Sequence, residues 1–539
     1  MLADLYADQS IWDIVIVGSG PVGMALALEF EALGRDVLLL ESGGLEIDPT
    51  LAAASHAEIV DPDRHAPMEI AVVRALGGTS WTWGGRCVAF DDVDWMQRSF
   101  VADSPWPIAP EEIQPHYAKA ADYLLCGSDK FIVPYDRELT GGVTLDSVER
   151  WARESRIVLV HRERLLKSER IHVAMRTTVT GIDLDSEASR IEALRAASPN
   201  GPRRIKARHV ILAMGGVETT RLLLASQLEH RHLYGGTGRA LGRYYMGHIA
   251  GKIADITFND PAAIADLDFK LDAGGAWFRR RYRLTTPTQL EHQVLNTAFW
   301  PDNPRLSDPA HRSGALSAVF LALAFPPVGK RLLPEAIRIS HTGAKPYRWG
   351  AHLSNTVLGG PRAARDLYTV LRDRFIRKPR KPGFLVPNRG GRYALNYHAE
   401  HAPNPDSRIT LSAATDSFGL PRARIDLQFS DIDVRSVIES HRLLDAALRA
   451  NSIGRVEFQY PEAQLPEKII SQITDGFHQV GTTRMGNDPN ASVVDADLKA
   501  HGLENLYVAS SSVFPTSSQA NSTLLAVALG MRLTKLLTR

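Results

Sequence analysis

The first clear hydrophobic pattern in the chain is the continuous apolar run Ile14-Val15-Ile16-Val17, short as a strand and composed like one buried on both faces of a parallel sheet. Glycines at 18, 20 and 23 break the run, and apolar residues resume from Met24 to Leu28 as a buried helix that Gly34 closes. Val37 to Leu40 is a second apolar strand, ended by Glu41. Glu111 to Leu125 reads as a helix. Ile171 to Ile182 alternates as strands do, and Arg208 to Met214 is another buried strand turning at Gly215-Gly216 into a helix. From about Ala250 the pattern changes to two-faced strands at Trp277 to Leu284, His292 to Phe299, Tyr393 to Glu400 and Arg422 to Phe429, which together predict an antiparallel sheet. A long, mostly helical insert, roughly Ser307 to Arg392, separates the second of these from the third.

The pattern therefore predicts an α/β lobe joined to a lobe built on an antiparallel sheet, and 539 residues suffice for two such cores. Composition narrows the reading. With 62 basic and 61 acidic residues the net charge is +1, which argues against nucleic-acid binding driven by overall charge. Only two cysteines are present, Cys87 and Cys126, outside any metal-ligand spacing; a pairing between them stays open, but reduced thiols in an intracellular protein are the simpler reading. Met1 to Trp12 is acidic and polar, unlike a signal peptide, and the longest apolar run, Ala315 to Phe325, is too short to cross a bilayer. A cytoplasmic protein with no intrinsic membrane segment is expected. Whether a second copy, a small partner subunit or a separately encoded membrane partner joins it stays open.

Chemistry begins in the first turn. Gly18-Ser19-Gly20-Pro21-Val22-Gly23 lies between a strand and a helix, where glycines permit a tight turn and let backbone amides approach a pyrophosphate at the positive helix N-terminus. Glu41, about 20 residues on at the end of the second strand, is placed to accept hydrogen bonds from ribose hydroxyls. A second glycine-rich stretch, Arg74-Ala75-Leu76-Gly77-Gly78-Thr79-Ser80-Trp81-Thr82-Trp83-Gly84-Gly85, favours FAD over NAD, because a flavin ring needs flat packing and backbone amides at its N5 and O4 edge.

Six stretches in this order resemble the glucose-methanol-choline (GMC) oxidoreductase family: the nucleotide turn, the Gly77 to Gly85 loop, Val210 to Glu218, Leu241 to His248, Pro403 to Arg408, and the C-terminal pair His478-Gln479-Val480-Gly481-Thr482-Thr483-Arg484-Met485-Gly486 and Ala520-Asn521-Ser522-Thr523. Within the family the chain is most similar to the pyranose and glycoside oxidase branch, since Gly481-Thr482 and Arg484-Met485-Gly486 follow His478 and the second active-site position is Asn521. The resemblance implies a Rossmann-like FAD-binding domain made of residues 1–95, 157–255 and 471–539, a connecting excursion over 96–156, and an interleaved substrate-binding domain over 256–470 carrying the insert of about 307–392. It implies cofactor contacts from Gly18, Ser19, Gly20, Pro21, Gly23, Glu41 and Ser42, from Arg74, Gly77, Gly78, Ser80, Thr82, Trp83 and Gly84, and from the backbone of Val179 beside the adenine. Ala213, Ser510, Ser511, Ser522 and Thr523 complete the set. Thr82 stands where fungal pyranose oxidases carry a histidine bonded to the flavin, so the FAD is expected to be non-covalent. Ser522 stands where the family usually has proline, and serine also suits a helix start.

Alcohol oxidation removes a hydride from carbon and a proton from oxygen, so the protein must supply a base beside the hydroxyl. His478 is assigned that role, because an imidazole ordinarily titrates near neutrality, and Asn521 the role of orienting the hydroxyl. The expected reaction is oxidation of a secondary alcohol of a sugar or glycoside, at C2 or C3 and more readily C3 of a glycoside, with oxygen or another acceptor taking the electrons. The alternatives are a non-sugar alcohol or a relative of lyase type without net oxidation.

Residues 362–392 hold ten basic and two acidic residues. The favoured reading is a solvated face over a local core of Leu367, Leu371 and Phe375; an acidic partner, a membrane surface or an anionic substrate are the functional ones. Pro379, Pro382 and Pro387 mark a loop suited to a lid. His398 and His401 are three apart near a strand end, where surface or pocket positions are preferred to a metal pair, and His441 reads as packing.

Overall fold

The computed structural model describes residues 11–332, 342, 345–388 and 390–538. The rest, including most of the acidic N-terminal segment and part of the insert, lie outside the described residues.

A seven-stranded sheet carries the nucleotide lobe. Strand Ile11–Val17 lies at its centre, with Val37–Leu40 and then Ile171–Ala174 on one side and Gly201–Leu212 on the other, all parallel. The end of Gly201–Leu212 also pairs in parallel with Leu506–Val508, whereas its beginning forms an antiparallel ribbon with Ile191–Ser198 and, beyond that, Thr178–Leu184. Helix Pro21–Ala32 covers one face and packs on the C-terminal helix Thr523–Leu537, where Gly530 leaves room for Val22 and Leu26. The continuous apolar runs are buried on both faces, as a parallel sheet sandwiched by helices requires.

The second lobe is a six-stranded sheet in the order Gly454–Phe458, His248–Phe258, Arg392–Glu400, Thr297–Asp302, Tyr282–Leu284 and Val143–Thr144. Its pairings are antiparallel, and the long helix Asp431–Ala450 backs it. Strand His248–Phe258 runs on across residue 255, where the resemblance implies the end of the FAD-binding segment.

Three predicted strands take other forms. Trp277 to Leu284 is two strands: Trp277–Arg280 pairs with Val148–Trp151 in a small sheet, and Tyr282–Leu284 joins the main one. The chain changes sheets at the fully buried Arg281, whose guanidinium bonds to Gln519 Oε1 and Ser147 Oγ. His292 to Phe299 begins as the end of helix Thr286–His292, with Pro287 in its first turn and Gln293 left-handed after it, so the strand starts at Thr297. Arg422 to Phe429 is realised as Pro421–Asp426, in a separate three-stranded sheet with Arg408–Thr415 and Glu58–Ile59. Period-two alternation specifies a buried face, not which neighbour supplies the pairing.

The insert is helical, with Gly314–Ala324, Pro326–Leu332 and Trp349–Leu371. Its expected local core is different from the one read in the sequence: Leu371 is exposed and Leu367 half-buried, while His352 and Ala363 face inward. The side chain of Phe375 lies outside the described set. The proline loop is tied down, since Pro379 O accepts from Trp277 Nε1 at 3.0 Å and Lys381 Nζ reaches Asp268 at 2.8 Å.

Candidate active site

The first parallel strand delivers Gly18 with φ +98°, a conformation side chains rarely adopt, and a Cβ there would lie 2.7 Å from Ala213 O. A Cβ on Gly23 would lie 1.9 Å from Gly18 O, so Gly23 lets the helix start close against the turn. Gly20 differs: as N-cap of Pro21–Ala32 it has an ordinary φ of −63°, and a Cβ there would meet nothing within 4 Å. Its neighbourhood is open space in front of uncapped helix amides, the arrangement that receives a phosphate.

That space belongs to a cavity of about 1330 Å³, open mouth included, walled by both ends of the chain. Of the residues expected at the cofactor, Gly18, Ser19, Gly20, Pro21, Glu41, Ser42, Arg74 and Gly78 line it from the N-terminal half. Val179, Ala213, Ser510, Ser511, Ser522 and Thr523 complete its wall. Both Glu41 oxygens are engaged: Oε2 accepts from the Ser19 hydroxyl at 2.5 Å and Oε1 from the Gly43 amide at 2.7 Å. Burial raises its pKa and these bonds oppose the rise. Arg74 is held by Ser55, Ser42 and Glu218.

Gly23, Gly77, Ser80, Thr82, Trp83 and Gly84 do not line this cavity. Gly77 and Gly78 have positive φ and form the turn; a Cβ on Gly78 would be 2.9 Å from Gly20 Cα, so the two glycine loops touch through their backbones. Ser80 turns back to bond Gly77 O at 2.7 Å, and Trp83 Nε1 donates to Ser155 O. Thr82 and Gly84 are exposed beyond the turn. The sequence reading missed Thr79, Met214, Glu218 and Gln479, which do line the cavity; Gln479 also binds the amide of Val217 at the start of helix Gly216–Glu229.

His478 stands in the chain between Phe477 and Gln479, both of which line the cavity, and does not itself line it. Its Nε2 is 2.9 Å from Asn521 Nδ2, so residues 43 positions apart meet as the sequence suggests. Its Nδ1 lies 3.3 Å from Asp475 Oδ2, a partner the sequence reading did not single out. Asp475 is the anchor of this loop. Oδ1 accepts from three successive amides, Gly476 at 2.8 Å, Phe477 at 2.9 Å and His478 at 3.1 Å, and Oδ2 from the amide of His248 at 2.7 Å. Burial alone would raise its pKa, but His478, His248 and these amides outweigh it and hold the carboxyl well below the usual range. An ionised Asp475 fixes the proton on Nδ1, leaves a lone pair on Nε2, and orients the Asn521 amide with nitrogen toward it. Asn521 Oδ1 is then buried without a partner.

Two further imidazoles complete the site. His248 and His398 are buried, stacked at 4.3 Å, and both meet the His478 ring edge-on. His248 Nε2 donates to Ala520 O at 3.0 Å and His398 Nδ1 to Gln519 O at 2.6 Å, tying the sheet to the loop that carries Asn521. Burial, with neighbouring cations and imidazoles, holds both well below the ordinary histidine pKa, so both are neutral. His398 and His401 point apart: His401 is in the core, bonded to the Gly247 amide and Gln428 O, and neither is a surface residue. His441 is buried packing, with Nδ1 on Val437 O. Cys87 and Cys126 are both buried and free.

Helix Thr523–Leu537 opens with Ser522 at its N-cap, but the serine makes no capping bond. Its first amides stay free toward the cavity. Open space at Gly20, a buried carboxylate at Glu41, a second uncapped helix start and the unpartnered Asn521 Oδ1 fit a dinucleotide flavin with its phosphates at the first turn.

Comparison with known proteins agrees with this anatomy. Residues 403–530 match the family described as GMC oxidoreductase. The chain is 24% identical to pyridoxine 4-oxidase of Microbacterium luteolum over 94% of this chain and 95% of that protein. It is 34% identical to the C-glycoside 3-oxidase of Arthrobacter globiformis over 22% of this chain and 21% of that one. Several curated relatives match over about a quarter of their length or less. A fungal aryl-alcohol oxidase structure has the same fold, with a TM-score of 0.54 at 15% identity, covering 98% of this chain and 99% of that one. With residues 403–530, about a quarter of the chain, matching the family's own region and the fold shared from end to end with an alcohol oxidase, the chain is similar to the GMC oxidoreductases.

Proposed function

We propose that the protein oxidises a secondary alcohol of a sugar or glycoside to a ketone, C3 of a glycoside ahead of C2, using non-covalently bound FAD. The observation that carries this reading is the line Asp475, His478, Asn521, whose chain neighbours Phe477, Gln479 and Ser522 wall the dinucleotide cavity.

FAD, when bound, supplies the acceptor for the hydride that leaves the carbinol carbon. The rest falls to side chains. The substrate hydroxyl enters between Asn521 Nδ2 and His478 Nε2, its oxygen accepting from the amide and its proton facing the imidazole lone pair. As the C–H bond breaks, the hydroxyl proton passes to Nε2, and the resulting imidazolium is stabilised through Nδ1–H by Asp475. Neutral His248 and His398 add no competing positive charge behind it. Thr82, exposed in the second glycine loop, offers no group that bonds covalently to a flavin.

The similarity to C-glycoside 3-oxidase supports a glycoside, and Asn521 beside His478 supports that branch. The near full-length similarity to pyridoxine 4-oxidase supports a second reading, a non-sugar alcohol. The test is anaerobic mixing of the FAD-loaded protein with free sugars, O- and C-glycosides and non-sugar alcohols, following the visible flavin band. Bleaching by a glycoside with formation of its keto product is expected, and admitting air then tests oxygen as acceptor. Bleaching only by non-sugar alcohols overturns the glycoside assignment; a dithionite-reducible flavin that no alcohol bleaches overturns alcohol oxidation itself.

A further inference from the structure

The insert between the second and third strands of the substrate sheet plays no part in the chemistry above, yet it has the least ordinary surface of the molecule. Of the twenty large hydrophobic side chains exposed among the described residues, nine lie between Phe325 and Ile376. Leu353 and Val357 are one turn apart on helix Trp349–Leu371, and Leu358, the most exposed of all at 78%, is next to them. Beyond the kink at Gly360-Pro361, Tyr368 and Leu371 are exposed as well, and Ile376 follows the helix end.

This surface is not a core waiting for its own helix partner. The opposite side of the same helix is already packed: a Cβ on Gly314 would lie 2.7 Å from Ala363 Cβ and 3.0 Å from Gly359 Cα, so helix Gly314–Ala324 sits against it almost backbone to backbone. Ser317 bonds His352 and Asn355 across the same contact. The helix thus has one apolar side spent inside and another facing water. A concentration of exposed apolar side chains of this kind marks a site of association.

Charge selects the occupant. Between Phe325 and Arg392 the chain has fifteen basic and three acidic residues, +12 in a chain whose total is +1. Exposed Lys378 and Arg380, shortly after Ile376, form no ion pair among the described residues, whereas Arg362 and Arg365 line a cavity with Asp268, Asp366 and Asp373. A second copy of the insert would bring the same charge against itself. Bare apolar side chains followed closely along the chain by unpaired cations match an anionic lipid surface, where leucines enter the acyl boundary and basic groups remain among the headgroups. No helix among the described residues is long and apolar enough to cross a membrane, so contact is made from one side.

We propose that the exposed apolar side of helix Trp349–Leu371, with Ile376, Lys378 and Arg380 after it, is a peripheral attachment surface for anionic phospholipid membranes. The proposal is independent of which alcohol the enzyme oxidises.

The experiment is vesicle flotation with the full FAD-loaded chain, comparing pure phosphatidylcholine with phosphatidylcholine containing phosphatidylglycerol. The expected result is co-flotation with the anionic vesicles only, reduced by added salt. Each basic residue removed from the exposed set should lower the partition coefficient about fivefold, read with Lys378→Gln and Arg380→Gln. The double substitution Leu353→Ser and Val357→Ser should also release the protein, with flavin content and melting temperature unchanged. Failure to float with either vesicle overturns the proposal. Retention that ignores the leucine and valine changes overturns the apolar contact. A concentration-dependent dimer in sedimentation equilibrium, broken by those two changes, assigns the face to a second copy and overturns it as well.

Discussion

Asp475 holds His478 twice, accepting its backbone amide at Oδ1 (3.1 Å) and standing 3.3 Å from its ring Nδ1 with Oδ2. One carboxylate therefore fixes both where the imidazole sits and which nitrogen bears the proton. Asp475→Asn keeps the size of the side chain but ends the preference for a proton on Nδ1. Flavin reduction should slow by about two orders of magnitude with FAD content retained, as stopped-flow absorbance would show. A rate within threefold of the parent would remove Asp475 from the mechanism.

His478→Ala removes the base itself. The reductive half-reaction should fall by roughly 10² to 10⁴-fold, the usual contribution of a general base, while FAD still co-purifies. Normal single-turnover reduction in this variant would sink the assignment.

Gly20 and Gly18 separate binding from folding. Gly20 has an ordinary φ and empty space beyond its Cα, so Gly20→Val should fold and yet lose FAD, because the new side chain occupies the phosphate position. Gly18→Val should instead fail to accumulate as folded protein, given its φ of +98° and the 2.7 Å approach to Ala213 O. Circular dichroism with the flavin-to-protein ratio distinguishes the two, and a flavin-replete Gly20→Val would contradict the assignment of that space.

Stability should decline in mild acid. His248 and His398 have folded pKa values well below their ordinary value of 6.5, chiefly through burial, so below pH 6.5 the unfolded chain binds protons that the folded one refuses. Their contribution is fully present above pH 6.5 and falls as pH drops toward the depressed values, by about 1.4 kcal/mol per pH unit per group. Urea denaturation at a series of pH values should show this slope, and His398→Gln should shallow it. An unchanged slope in the variant would mean that His398 does not resist protonation.

The sequence made some of this site legible because the signals are local. Gly18 to Gly23, the following helix and Glu41 form one strand-turn-helix-strand unit, and each residue acts on near neighbours. His478 and Asn521 were readable as members of two motifs in order. Asp475 had a weaker local signal, a carboxylate three residues before the histidine, without meaning until its amide cage is seen. His248, the end of one family-like stretch, and His398, read as a surface or pocket histidine, had no signal joining them to His478, because they meet it only through the pairing of two distant strands, in which Ala250 stands opposite His398. The same limit explains the sheets: alternation at Trp277 to Leu284 and Arg422 to Phe429 marks buried faces, while a sheet change at Arg281 and a partner at Glu58–Ile59 are set by contacts far along the chain. In the insert, spacing at Leu367 and Leu371 suggested a core, but the helix spends its Gly359 and Ala363 side on packing and leaves Leu371 outside.

The cavity wall begins at Val17 and ends at Ala526. During synthesis the first glycine turn emerges hundreds of residues before the C-terminal helix that closes the opposite side, so the nascent chain has half a binding site for most of its time on the ribosome. Cofactor retention therefore waits on Thr523–Leu537: until those 15 residues are made, the turn after Ile11–Val17 lacks both the opposite wall of its cavity and the helix that packs on Pro21–Ala32.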